Sequence, residues 1–296
     1  MIHYEQCPLC NSQKLKFIFN VKDYTVSGKD FALWECEECS LRFTQDIPGP
    51  DEIGAYYRSE NYISHTETKK GFINNAYLAV RKFTLQQKKN LISAKTGLGK
   101  GKILDIGCGT GAFLEVMQLA GWTVQGLEPD EGARVIAEQR GVSVLPSGEL
   151  FNINGPYDAI TMWHVLEHVH DLHPYLEKMR SLLNPGGVIF IAVPNYTSAD
   201  ASEYGHCWAA YDVPRHLYHF SPASMNTLMK MHGLQISKME PMWFDSFYVS
   251  MLSEKYRSGK NNLVSASWQG LRSNASAFSD TGKCSSVIYV IKKVLS

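Results

Sequence analysis

Neither sign of charge is in surplus: Lys plus Arg and Asp plus Glu both number 29, which leaves a formal net charge of zero. That balance argues against non-specific nucleic-acid binding, which needs excess cations to displace counterions from phosphates. It leaves room only for a local basic patch. No apolar run reaches the roughly 18–20 residues needed to span a bilayer, so no membrane partner is expected. The opening MIHYEQCPLC lacks the apolar core of an export leader. Cysteine is scarce and odd in number, seven in 296 residues. With no export signal, free thiols in a reducing, cytoplasmic compartment are expected rather than disulfides. What remains is an ordinary globular composition, 44% hydrophobic and 11% aromatic, enough for one large α/β domain and a small appendage.

Four of the cysteines are paired in a way that packing does not require. Cys7 and Cys10 stand in CPLC, and Cys36 and Cys39 in CEEC. A two-residue gap lets both thiolates of a pair reach one ion from a tight turn. Four thiolates around Zn²⁺ close a tetrahedral site that supports folding and leaves no position for water. A pair of redox-active CxxC motifs is the rival reading, but two copies so close together favour zinc. Between the pairs, KLKFIFNV and FALWEC alternate as short strands do. Residues 1–45 therefore read as a zinc ribbon and 46–71 as a connector in which Tyr62 and His65 could reach a cleft. A large domain follows over 72–296. It opens with a helix over 71–95 whose stripe is Ile73, Ala76, Tyr77, Val80 and Phe83, with RK and QKK as solvated faces.

After GLGKGK comes KILDIGCGTGAFLEVMQLAGW, a short apolar strand running through three glycines into an amphipathic helix. Glycine permits a sharp turn and a close backbone approach to a ligand. A lone glycine loop is a weak signal, and GxGxxG would indicate a dinucleotide. Here the third glycine comes one residue early, as GxGxG, and Asp105 stands two positions before Gly107. A carboxylate is a poor neighbour for pyrophosphate but suits a ligand carrying an ammonium and a sulfonium. The next strand, TVQGLEPD, ends at Glu128, where an acidic side chain can hold two ribose hydroxyls. A helix (EGARVIAEQRG), a strand (VSVL), a strand (YDAITMW), a helix ending at LNPGG and a strand (VIFIAV) continue the alternation. Strands alternating with helices imply an α/β fold: a parallel sheet wrapped on both faces, with its ligand at the carboxyl ends of the strands.

DIGCGTG, Glu128 in LEPD, YDAITMWHVLEHV, LNPGG and VIFIAV together resemble the class I S-adenosylmethionine-dependent methyltransferases over about residues 72–295. The resemblance implies a Rossmann-like, seven-stranded, mostly parallel doubly wound sheet, closed by LQISKMEPMWF and SSVIYVIKKV, one strand antiparallel. It also implies S-adenosylmethionine as cofactor. Asp105, Gly107, Cys108, Gly109 and Gly111 would face its methionine part, and Glu128 with Pro129 its ribose. Met162, Trp163 and His164 would stand beside the sulfonium or the acceptor. The adenine contact usually follows the third strand. PSGELFN has no acidic residue there, which leaves Ser147 and Gly148 as candidates.

Methyl transfer is an in-line displacement in which alignment supplies much of the rate, and an oxygen or carbon nucleophile gains from a base or a metal. The candidates are His164, His168 and His216 as acid–base groups. If the chain turns helical after Trp163, then His164, Glu167 and His168 share a face. Ubiquinone-type O-methyltransferases and plant small-RNA 2′-O-methyltransferases carry a similar ExxEH cluster, completed in the latter by a later histidine. That implies a second divalent ion at Glu167 and His168, with His216 as the later ligand. Here His164 replaces the first glutamate. The alternative is a purely structural Glu–His step, and His170 and His173 read as exposed polar positions. Trp208 and Tyr211 either line an acceptor pocket or pack. The polar stretch 252–283 reads as a surface loop, with a substrate-covering or oligomer-forming insert as the alternative.

The expected function is methylation of a small-molecule acceptor on oxygen or carbon, with a sugar or ring hydroxyl as examples. A four-cysteine ribbon before this fold also resembles deoxysugar C-methyltransferases. Two other readings stay open: an RNA- or protein-modifying methyltransferase that captures its target with the ribbon, and a non-catalytic cofactor-binding assembly protein. Zero net charge counts against RNA.

Overall fold

The structure, a computed structural model, describes residues 1–57, 72–260 and 262–294, with side chains from Leu78 onward in the first long helix. Tyr62 and His65 lie outside the described residues. The alternating segments near the start form β1 (Leu15–Lys22) and β2 (Asp30–Cys36), an antiparallel hairpin. Its turn is fastened by Asp23, whose carboxylate accepts the backbone N–H groups of Thr25, Val26 and Ser27. β3 (Arg42–Thr44) adds to β2.

The long helix α1 (Phe72–Thr96) leads to the large sheet. In chain order its strands and helices are β4 (Lys102–Ile106), α2 (Ala112–Leu119), β5 (Thr123–Leu127), α3 (Glu131–Gln139) and β6 (Val144–Leu145). There follow β7 (Tyr157–Trp163), α4 (Leu172–Leu182), β8 (Leu183–Pro194) and the short α5 (Ala199–Tyr204). The chain closes with β9 (Tyr218–His219), α6 (Pro222–Met231), β10 (Leu234–Pro241), α7 (Asp245–Ser258), α8 (Leu263–Ser279) and β11 (Ser286–Lys293).

Seven strands are ordered β10-β11-β8-β7-β4-β5-β6, and β11 alone runs antiparallel to its neighbours. The central strands are near-continuous apolar runs because both faces are covered: every residue from Val188 to Pro194 is buried. The order reverses between β4 and β7, so the crevice for a ligand opens at their carboxyl ends, beside Ile106 and Trp163.

The N-terminal sheet does not stand apart. β9, from the far half of the chain, pairs with β3 through Arg42↔His219 and Phe43↔Tyr218. The order β1-β2-β3-β9 thus joins the cysteine-bearing segment to the large domain.

Several expectations are corrected. LNPGG does not end a helix: α4 stops at Leu182, and Leu183–Gly187 already belongs to β8, because Leu183 pairs with Tyr157. The polar stretch 252–283 is mostly helical, since Ser, Ala and Asn on one side of α7 and α8 are small enough to bury against α5: Ser250, Ser253, Ala266, Ser273 and Ala277 are all buried. Of the predicted stripe on α1, Val80 and Phe83 are exposed and Ile92 is the buried anchor. His170 and His173 are not free surface groups. They are half-buried against the N-terminal segment, with His170 Nε2 3.0 Å from the Pro48 carbonyl and His173 Nε2 3.2 Å from that of Pro8.

Candidate active site

The turn after β4 needs glycine for two separate reasons. Gly107 has φ +74°, and a Cβ there would lie 2.4 Å from Val165 Cγ2. Gly109 has φ +53° with nothing within 4 Å of where its Cβ would be, so this face of the backbone is open to a ligand. Gly111 caps the start of α2 at φ +73°. The Glu128 carboxylate, at the tip of β5, accepts the N–H of Gly109 at 2.8 Å and that of Asp130 at 3.0 Å. Burial raises its pKa. Glycine loop and carboxylate are thus one unit, with Pro129 exposed beside them. Cys108 is buried, and burial pushes its thiol up, which marks a packing residue.

Beneath the loop, Asp105 is 1% exposed and accepts a hydrogen bond from Thr161 Oγ1 at 2.5 Å. Burial raises its carboxyl to about 7, against the pull of Thr161 and Lys88. Lys88 is the cation that the QKK reading had left in solvent. It leaves α1 to sit with its Nζ 4.2 Å from the centre of the Trp163 ring, and burial lowers its pKa. Trp163 is half-buried with no partner for its buried Nε1, whereas the Met162 side chain is in the core. Ser147 and Gly148 occupy a short turn after β6, half-buried and exposed.

The histidine run does not form the helical face that spacing predicted. His164 takes a left-handed conformation at φ +58°, and only Leu166–His168 make a helical turn. His164 is therefore separated from His168. Its Nε2 lies 2.9 Å from Asp245 Oδ2 and its Nδ1 3.3 Å from Glu167 Oε1. Burial alone would lower its pKa, but the two carboxylates outweigh burial and hold it at about 10. With both ring nitrogens directed at carboxylates, His164 is an imidazolium at neutral pH.

Glu167, His168 and His216 converge, each offering a ligand atom within 4.8 Å of the others. His168 Nδ1 lies 2.9 Å from the Arg215 carbonyl and 3.0 Å from Tyr57 Oη; His216 Nδ1 lies 2.8 Å from the Ala210 carbonyl. Each Nδ1–H therefore donates to a backbone oxygen, which leaves Nε2 of each ring as the atom available to a ligand. Burial, reinforced by His216, lowers His168 to about 4, so its ring is neutral. Glu167 Oε2 is buried without a hydrogen-bond partner. Two imidazole lone pairs and an unsatisfied carboxylate oxygen, with the outer ring nitrogens fixed by carbonyls, form a donor set that suits a divalent cation. Trp208 and Tyr211, each 1% exposed, are packing residues instead of pocket lining: Trp208 Nε1 donates to Asp200, and Tyr211 Oη accepts from Arg42.

A cleft of about 210 Å³ opens beside His164, lined by Lys88 and Leu91 of α1, by Met242, Trp243, Phe244 and Asp245, and by Ile288. Lys88 and Asp245 are the site residues that sequence reasoning missed. The one available signal was a lysine among apolar positions of α1; nothing local marked Asp245.

The four cysteines also come together. Cys7 Sγ is 3.5 Å from Cys39 Sγ and Cys10 Sγ 3.5 Å from Cys36 Sγ, far beyond the roughly 2.05 Å of a disulfide and near the edge of a thiolate tetrahedron about a metal ion. The bond from Cys39 pulls the Cys7 thiol down to about 5, and burial pushes Cys10 up to about 11. Four thiols this close, three of them buried, cannot all ionise without a cation among them.

The fold has counterparts among known proteins. A C-methyltransferase of Streptomyces niveus is 25% identical over 214 residues, 68% of this chain and 46% of that protein. A ubiquinone biosynthesis O-methyltransferase of Actinobacillus pleuropneumoniae is 38% identical over 126 residues, 38% of this chain and 51% of that one. The chain thus spans about half the length of these curated relatives. Among solved structures, magnesium protoporphyrin IX methyltransferase from Synechocystis superposes with a TM-score of 0.53 at 14% identity, covering 80% of this chain and 96% of that one. The 1,6-didemethyltoxoflavin-N1-methyltransferase of Burkholderia thailandensis does so with 0.51 at 13%, covering 93% and 100%. These likenesses establish the Rossmann-like fold. A model of the methyltransferase domain matches residues 77–238, more than half of the sequence, and the chain belongs to that family.

Proposed function

We propose that this protein transfers a methyl group from S-adenosylmethionine to the oxygen or carbon of a small-molecule acceptor. The observation that carries this reading is the open glycine loop anchored on Glu128, with the buried Asp105–Lys88 pair on one side and the histidine–carboxylate group on the other. The cofactor's amino-acid end is a zwitterion. Asp105 takes its ammonium and Lys88 its carboxylate, the backbone from Gly107 to Gly111 lies along it, and Glu128 beside Pro129 holds the ribose. Trp163 and the His164 imidazolium border the methyl group, with His164 orienting Glu167 and Asp245 instead of accepting a proton. The acceptor enters by the cleft between α1 and Asp245. The two relatives above are named for C-methylation and for O-methylation in ubiquinone biosynthesis, and a sugar-ring carbon and a ring hydroxyl are the acceptors to test first. Residues 1–45 form a structural zinc module, its ion held by Cys7, Cys10, Cys36 and Cys39.

The decisive experiment is an acceptor screen with labelled cofactor on cell extract divided into small-molecule, RNA and protein fractions. Label entering the small-molecule fraction supports the proposal, and label confined to RNA or protein refutes it. Binding of S-adenosylmethionine should also depend on pH in a definite direction. Asp105 must be ionised to receive the ammonium, and its carboxyl stands near 7. Affinity should therefore fall up to tenfold per unit as pH drops below about 7, and level off above it. The stability of the cofactor-free fold should change in the opposite sense, falling as pH rises from about 4 to about 7, because the folded state then holds a proton that the unfolded chain releases. Titration calorimetry and thermal melts between pH 5.5 and 8.5 measure both trends. A wild-type profile as flat as that of Asp105→Asn would remove Asp105 from the site.

A second divalent ion fits Glu167, His168 and His216, and there it would supply Lewis acidity toward an acceptor oxygen. Without an ion, the Nε2 atoms of His168 and His216 remain as candidate proton acceptors. Chelation that spares the cysteine centre should lower the transfer rate at least a hundredfold, as should Glu167→Gln. Full activity in a chelated preparation that still contains zinc would leave the histidines as bases.

A further inference from the structure

The loop that carries His216, from Gly205 to His219, is fastened from the N-terminal sheet, and one side chain there bears directly on His216. Thr44, on β3, is fully buried. Its hydroxyl donates to the His216 carbonyl at 2.7 Å and meets His219 Nε2 at 3.1 Å. Its backbone N–H donates to the Leu217 carbonyl at 2.9 Å. Leu217 in turn donates its N–H to the Glu167 carbonyl at 2.8 Å. Thr44 therefore holds the two peptide units that flank Leu217, the first of them carrying the His216 carbonyl, and the next link is the backbone of Glu167. Two residues earlier, Arg42 Nη1 donates to Tyr211 Oη at 2.9 Å, and its guanidinium lies 4.1 Å from the centre of the Tyr196 ring.

A buried hydroxyl with two partners is expensive to place unless both bonds are made. A valine would fill the same volume and pack equally well. We propose that Thr44, five residues beyond Cys39, is a positioning residue for His216, so that β3 sets the geometry at which His216 meets Glu167 and His168. The proposal rests on the functional reading of that cluster given above. It makes the N-terminal module part of the active site's framework, where a mere appendage would leave the cluster unchanged.

The test uses the full chain with its cysteine centre loaded, as wild type, Thr44→Val and Thr44→Ser, labelled with ¹⁵N-histidine. The ring nitrogen signals of His216, assigned by their loss in His216→Gln, should shift in Thr44→Val and return to wild-type positions in Thr44→Ser. Those of His206, exposed on the same loop, should stay fixed in both. Cobalt(II), added as the probe for the cluster, should bind about tenfold more weakly to Thr44→Val, in line with other supporting contacts around ligating histidines. The affinity for S-adenosylmethionine should be unchanged within twofold. If Thr44→Val does not fold, Thr44→Cys, whose thiol is a poor donor, carries the same expectation. A folded variant whose His216 signals match wild type overturns the proposal. So does a Thr44→Ser protein as perturbed as the valine variant. Cobalt that binds no wild-type cluster refutes the metal reading alone, since the histidine signals decide the role of Thr44 without it.

Discussion

Glu128→Ala should weaken S-adenosylmethionine binding by two to four orders of magnitude. The carboxylate stands at the tip of β5, where it can accept from two adjacent ribose hydroxyls, and it is held ready by the N–H groups of Gly109 and Asp130. Hydrogen bonds to a charged group contribute about 1.5–3 kcal/mol each. Losing two of them costs about 3–6 kcal/mol, and each 1.4 kcal/mol is tenfold in affinity. Alanine also releases the glycine loop from its only side-chain tether among the described residues. Glu128→Gln separates these effects, because its amide retains one acceptor oxygen but turns a donor toward one of the N–H groups. It should lose less affinity than alanine and more than tenfold. Isothermal titration of both variants measures the difference, and an alanine variant within tenfold of wild type would remove Glu128 from the cofactor site.

Stripping the cysteine centre should do more damage still, to the fold instead of to one ligand. Structural zinc contributes about 10–16 kcal/mol in small zinc-binding peptides, against a total stability of about 5–15 kcal/mol for a typical domain. Cys36→Ser, or chelation strong enough to remove the ion, should unfold the β1–β3 sheet and expose the surfaces it covers. The side chains exposed from the segment itself include Leu41 and Phe43, both fully buried in the folded protein. The His170 and His173 contacts to Pro48 and Pro8 would be lost with it. We expect the melting temperature to fall by more than about 10 °C, and proteolysis to begin within the first fifty residues. Elemental analysis should find one zinc per chain in the intact protein. Metal-free protein that melts like wild type would show that packing alone holds the cysteines together.

Much of the α/β layout could be read from the sequence because its signals are local. DIGCGTG requires left-handed glycines next to a strand, and the apolar run VIFIAV has the length and bulk of a strand buried on both faces. The features that escaped depend on partners distant in the chain. SEKYRSGKNNLVSASWQGLRSN looks polar enough for a loop, yet its serines and alanines form the narrow face on which α7 and α8 meet. His164 and His168 have helical spacing, but the left-handed turn at His164 sends its ring to Asp245, while the His168 ring turns to the Arg215 carbonyl. Lys88 reads as a solvated charge until Trp163 and Asp105 are brought beneath it. Asp245 follows MWF, a stretch whose pattern is that of a strand end. It becomes a site residue only because β10 returns along β11 to the mouth of the crevice.

The pairing of β3 with β9 has a consequence for how the chain is made. Thr44 and His219 are 175 residues apart in sequence. A ribosome working at about 5–20 residues per second takes on the order of ten seconds or more to cover that interval. Throughout that time the cysteine hairpin has emerged, with its outer strand lacking a neighbour. Metal capture by the nascent segment would hold β1, β2 and β3 together in the meantime. An unpaired strand is a template for wrong partners, so the yield of soluble protein should follow the supply of zinc during synthesis more closely than it follows zinc added afterwards.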